Sequence, residues 1–228
     1  MIALQINLKG LEKLTLKSLL HSSFFRFGIG AIWVLSAVTG LGIILNYESS
    51  PGRANPAPAL WPADSTIQRQ ARKPELLMFV HPRCPCSRAS IGELNSIMAS
   101  CRERADVHVL FIKPTGFTDE WLRSDLWKSA LSIPGVKVIQ DNEGVETQKF
   151  HATVSGQTLL YNGEGRLLFN GGITSSRGHY GDNIGRSSIL SLLLTGRSNH
   201  NQTFAFGCSL FAPANSLNQN QVREAAEK

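Results

Sequence analysis

From Phe27 to Leu45 the chain runs nineteen residues without a charge. Backbone in hydrocarbon must satisfy its own hydrogen bonds, which makes such a run a helix, and its length matches the roughly 30 Å hydrocarbon layer. A cleaved secretory signal carries a shorter apolar region, about 7 to 15 residues, followed closely by a small-residue cleavage site. Here the nearest such motif, Ala57-Pro58-Ala59, lies beyond Pro51 and Pro56, so a retained membrane helix over residues 27–47 is expected. Lys9, Lys13, Lys17 and Arg26 stand before it against Glu12 alone, whereas Glu48 and Arg53 follow it. That bias keeps the basic segment 1–26 in the cytoplasm and sends everything after Tyr47 outside. Within 1–26, Ile6, Leu8, Leu11, Leu14, Leu19 and Leu20 recur at near-helical spacing beside the lysine stripe. The pattern suits either a helix lying on anionic lipid or a solvated basic flank.

A chain of 228 residues has room for one domain plus appendages, or for two small domains. Residues 48–73 are rich in Pro, Ala, Ser and Arg without periodicity and read as a linker. Residues 212–228 read as a disordered tail. The net charge of +6 is spread out rather than gathered with aromatic residues, which speaks against a nucleic-acid surface. Between these limits, over 74–211, strand and helix patterns alternate. Leu76 to Val80 is an apolar strand, and Ser87 to Cys101 is a helix with Ile91, Leu94, Met98 and Cys101 on one face, which makes Cys101 a core residue. Val107 to Ile112 is a second strand, Asp119 to Leu131 a helix, and Val136 to Ile139 a short third strand. Thr158–Tyr161 and Arg166–Phe169 flank Asn162-Gly163-Glu164-Gly165 as a hairpin, and Ser187 to Leu194 closes the domain as an apolar helix.

Chemistry enters where the first strand meets the first helix, in His81-Pro82-Arg83-Cys84-Pro85-Cys86-Ser87-Arg88. The first amides of a helix are unpaired and its dipole end is positive, so this junction favours a thiolate. Arg83 and Arg88 add positive charge, and His81 adjoins the motif. The prolines and arginines around Cys84 and Cys86 argue against a dry core position.

A βαβα half, then a hairpin and a last helix, with cysteines after the first strand, resembles the thioredoxin fold, an α/β architecture with a mixed sheet flanked by helices. More narrowly, the strings HPRCPCSRAS, SGQTLLYNGEGRLLFNGGIT, SRGHYGDNIG and FAFGCSLF resemble the RedB-like bacterial proteins, thioredoxin-fold proteins carrying a membrane anchor. The resemblance implies a single-pass protein of the bacterial inner membrane with its domain in the periplasm. Two departures matter. Thioredoxins place two residues between their cysteines, whereas Pro85 alone separates Cys84 from Cys86, so a bond between them is strained and easier to reduce. Thioredoxins also carry a cis-proline before the hairpin, and Ala152–Gln157 contains no proline.

The segment Gly171–Gly185, with five glycines and Arg177, His179, Asp182 and Asn183, carries more polar chemistry than a turn needs. Asp182 or Asn183 suits the cap of the last helix, while His179 suits a proton shuttle or a metal ligand. Cys208 lies in an apolar island, Phe204–Phe211, and is able to pair with Cys84 or Cys86, bridge to Cys101, or ligate a metal. Two function classes follow. In one, a membrane-tethered thiol oxidoreductase uses Cys84 as the sulfur that attacks or is attacked, Cys86 as the resolving one, Arg83, Arg88 and His179 in support, and a protein thiol or disulfide as partner, with no cofactor. In the other, Cys84, Cys86, His179 and Cys208 hold a soft ion such as a copper ion. A noncatalytic assembly factor on the same fold is a third reading.

Overall fold

The computed structural model describes residues 23–70, 72–101 and 103–211. Both the basic segment before Ser23 and the expected tail after Phe211 lie outside the described residues. The chain divides into two compact units, Met1–Tyr47 and Glu48–Lys228. The first is represented by helix α1, Ser23–Ser49, which extends two residues past the expected span and holds one stretch, Phe25–Ser49, long and apolar enough to cross a membrane. Its side chains in that stretch are not buried within the protein, as a hydrocarbon-facing helix requires.

The second unit is built on a five-stranded sheet. Its strands are β1 Glu75–Val80, β2 Asp106–Lys113, β3 Val136–Asn142, β4 Gln157–Tyr161 and β5 Leu167–Gly171, in spatial order β3-β2-β1-β4-β5. Strands β1, β2 and β3 are parallel, and β4 and β5 run antiparallel beside β1. The helices are α2 Ser87–Cys101, α3 Asp119–Leu122, α4 Asp125–Leu131, α5 Val145–Lys149 and α6 Ile184–Thr195.

Strand β1 lies at the centre and is buried on both faces, which is why it reads as an unbroken apolar run rather than an alternation. Its side chains still alternate. Leu76, Met78 and Val80 join the core beneath α2 and α6, with Ile91, Leu94, Ile97 and Ile189, whereas Leu77 and Phe79 join a second core with Leu110, Ile112, Phe150, Leu159 and Tyr161. Cys101 is buried at the end of α2, as its spacing requires.

The expected helix Asp119–Leu131 is broken in two. Ser124 adopts extended backbone and its hydroxyl caps α4 by accepting from the Trp127 amide, so a residue that resembles a mid-helix position starts a new helix. Residues 48–73, expected as a linker, instead pack on the second core. Trp61 meets Phe150 and Tyr161 edge-on at 4.8 and 5.2 Å, Ile67 is buried, and the Tyr161 hydroxyl donates to the Pro58 carbonyl at 2.9 Å. Irregular backbone anchored by single apolar residues has no period to detect. The C-terminal stretch pairs with edge strand β5 at Asn170↔Gln202 and ends on the same core, where Leu210 is buried.

Candidate functional site

Strand β1 ends at Val80 and delivers the cysteine motif to the first turn of α2. The turn is closed by backbone bonds from Cys84 N–H to His81 O at 3.0 Å and from Ser87 N–H to Cys84 O at 3.1 Å. Opposite it lies Thr153–Gly156, which contains no cis peptide. The Gly156 amide donates to Phe79 O at 2.7 Å, and the Ser155 hydroxyl accepts from the His81 amide at 2.8 Å and shares a 2.6 Å bond with the Ser87 hydroxyl. The Ser155 hydroxyl thus ties strand end, helix start and loop together.

Both motif cysteines are buried, Cys84 at 1% exposure and Cys86 at 7%, against the expectation drawn from their flanking prolines and arginines. What covers Cys84 comes from far along the chain. Cys208 Sγ lies 3.0 Å from Cys84 Sγ, and the Cys208 amide donates to the same sulfur at 3.4 Å. These contacts, with hydrogen bonds from Ser87, outweigh burial and hold the Cys84 thiol down at about 4. The charged form of Cys84 is therefore favoured over that of an ordinary cysteine. The neighbours respond oppositely. Cys208 is pushed up as the donor to that thiolate, and Cys86 is raised by burial and then by the negative charge on Cys84.

The cation that acts on the thiols is Arg177, which lowers both Cys86 and Cys208. Its Nη1 donates to Gly207 O at 2.7 Å and its Nε to Ser50 O at 3.2 Å. The expected arginines stand elsewhere. Arg88 pairs with Asp125, both largely exposed, and Arg83 is exposed with its amide donating to His81 Nδ1 at 3.2 Å. His179 is exposed and 3.4 Å from Glu48 Oε2. His81, stacked edge-on against Trp121 at 5.5 Å, is held below the usual imidazole range by burial, partly offset by the Cys84 charge.

The loop Gly171–Gly185 is docked along α2. Glu93, fully buried, accepts from the Gly181 amide at 2.6 Å and from Arg186 at 2.7 Å, and the Tyr180 hydroxyl bonds Ser96 at 2.6 Å. Asn183 caps α6 by accepting from the Arg186 amide at 2.8 Å, while Asp182 pairs with the Arg186 guanidinium. Among the described residues no three His, Cys, Asp or Glu side chains are arranged to hold a metal ion, and His179 is turned to Glu48. Sequence reasoning missed Arg177 as the acting cation and left the pairing of Cys208 open, because both reach the motif only through tertiary structure.

No protein-family model matches the chain, and neither does any curated protein. Solved structures do. An uncharacterized conserved protein from Geobacillus kaustophilus is 17% identical with a TM-score of 0.51, over 73% of this chain and 94% of that one. A hypothetical protein from Sinorhizobium meliloti 1021 is 19% identical with a TM-score of 0.50, over 63% and 81%. A secreted disulfide oxidoreductase from Mycobacterium tuberculosis is 15% identical with a TM-score of 0.39, over 54% and 81%. At such identities the likeness is one of fold. With three parallel strands, an antiparallel hairpin beside the central strand and cysteines at the helix start after it, the domain has a thioredoxin-like fold.

Proposed function

We propose that the protein is a thiol–disulfide redox protein tethered to the bacterial inner membrane by α1, with its domain in the periplasm and Cys84 as the exchanging sulfur. One observation carries the reading. Cys84 sits in the turn that leads into α2 with sulfur and amide donors aimed at it, held down at about 4. A thiolate is the reactive form of cysteine, and one stabilised this strongly is also a good leaving group, which makes its disulfide oxidising. The chemistry is a two-electron exchange. A partner protein's dithiol gives up two electrons to a disulfide that Cys84 forms with a second thiol of this chain, and no cofactor is required. The placement outside the cytoplasm rests on the basic residues before the apolar run.

The test uses full-length protein in detergent micelles, oxidised with excess oxidised glutathione, freed of it, and mixed with a reduced dithiol peptide. Stoichiometric peptide disulfide is expected from the native chain and none from Cys84→Ser. Equal yield from both proteins would refute the reading.

A further inference from the structure

Cys84 has a sulfur partner from outside its motif. Cys208, 124 positions away, lies 3.0 Å from it, and its segment is built into the site from both sides. The Ser155 amide donates to Cys208 O at 2.8 Å and the Leu210 amide to Thr153 O at 2.9 Å, so Val154 and Ser209 form an antiparallel bridge. One residue before the cysteine, Gly207 lies so close over Ser155 that a Cβ there would overlap the Ser155 carbonyl oxygen. Arg177 holds the Gly207 carbonyl from the other side, the Gly52 amide holds Ala205 O at 2.8 Å, and Leu210 is sunk in the core. An unattached cysteine needs none of these fastenings.

The three cysteine residues differ in exposure. Cys84 is 1% exposed and Cys86 7%, whereas Cys208 is partly open to solvent. Of the three residues, Cys208 is the one open to a protein partner, and its segment lies over Cys84. Cys86 lies beyond a single proline from Cys84, where a bond is strained.

We propose that Cys208 is the disulfide partner of Cys84 and the sulfur that a protein dithiol attacks, with Cys86 outside the exchanged pair. The inference rests on the redox reading above. In the oxidised chain a partner thiolate bonds to Cys208 Sγ, the Cys84–Cys208 bond breaks, and the electron pair leaves on Cys84, the sulfur best able to carry it. The partner's second thiol then loses its proton to solvent and attacks its own half of the mixed disulfide. Cys208 is released as a thiolate and takes up a proton. The chain's disulfide has gained two electrons and the partner dithiol has lost them. Arg177 and Gly207 are positioning residues: one holds the Cys208 segment by its carbonyl, the other lets it lie against Ser155.

The experiment uses the full chain in micelles, oxidised with excess oxidised glutathione and digested with pepsin at low pH, where disulfides do not shuffle, for mass mapping. A Cys84–Cys208 linked peptide is expected in the native chain and in Cys86→Ser. Brief exposure of that disulfide to reduced glutathione before acid quenching is expected to leave glutathione on Cys208. A Cys84–Cys86 link with Cys208 free, or glutathione found on Cys84 instead, would overturn this inference and leave the redox reading standing. Cys84 in neither a disulfide nor a glutathione adduct would overturn the redox reading itself.

Discussion

Replacing Cys208 with alanine removes the sulfur donor that does most to hold Cys84 as a thiolate. Three other influences remain: the residue 208 amide at 3.4 Å, the hydrogen bonds from Ser87, and the burial that opposes them. A hydrogen bond to a charged group contributes about 1.5 to 3 kcal/mol, and each pKa unit corresponds to about 1.4 kcal/mol. The Cys84 midpoint should therefore rise by about one to two units from its native position near 4. The direction follows from which form gains: the lost donor served the charged sulfur, so its loss favours the protonated one and Cys84 takes up its proton at higher pH. The assay is thiolate absorbance at 240 nm of reduced full-length protein against pH. Cys86→Ser and Cys101→Ser are combined with Cys208→Ala, and the same double variant carrying Cys208 serves as reference. A midpoint that stays put or falls would show that Cys208 does not stabilise the Cys84 thiolate.

Gly207→Ala should loosen the Cys208 segment, because a side chain there meets the Ser155 carbonyl. Overpacking of this kind costs about 1 to 3 kcal/mol, so alkylation of Cys84 by iodoacetamide should quicken roughly fivefold or more, and an unchanged rate would refute the fastening. Asn183→Ala, which deletes the α6 cap, should cost about 1 kcal/mol in urea unfolding. Asp182→Ala, which removes a fully exposed carboxylate, should cost less than Asn183→Ala, and a reversed order would refute the capping assignment. The full chain should stay in the membrane fraction after carbonate washing, and reporters fused after Tyr47 should read a location outside the cytoplasm. A soluble product or a cytoplasmic signal would refute the tether.

Helix α2 could be read to the residue from its sequence, because Ser87 follows the motif turn and Ile91, Leu94 and Met98 mark one face. Strand β1 was nearly as plain, since Leu76 to Val80 form the unbroken apolar run that burial on both faces favours and only its first residue, the buried Glu75, falls outside it. The break at Ser124 was hidden, because Trp121, Leu122, Leu126 and Trp127 keep a helical rhythm across it and only a hydroxyl on an amide reveals two helices. Residues 48–73 misled in the opposite sense: Trp61 and Ile67 are anchors separated by irregular backbone, and periodicity is blind to that. At the site, the local half was legible, for Cys84 at a helix start follows from strand, motif and helix alone. Its long-range half was not. Cys208 and Arg177 arrive from opposite sides of α6 in sequence and meet at Gly207 O, a coincidence set by backbone pairing at Thr153–Ser155 rather than by any spacing in the chain.

The reduction potential of the full-length chain, taken by equilibration with glutathione buffers and mass analysis of trapped thiols, bears most directly on Cys84 as a redox sulfur. A stabilised thiolate predicts one two-electron transition that disappears in Cys84→Ser and lies well above the roughly −270 mV of thioredoxin, toward the oxidising members of the fold. A chain with no such transition, or one whose transition survives the loss of Cys84, would contradict the account.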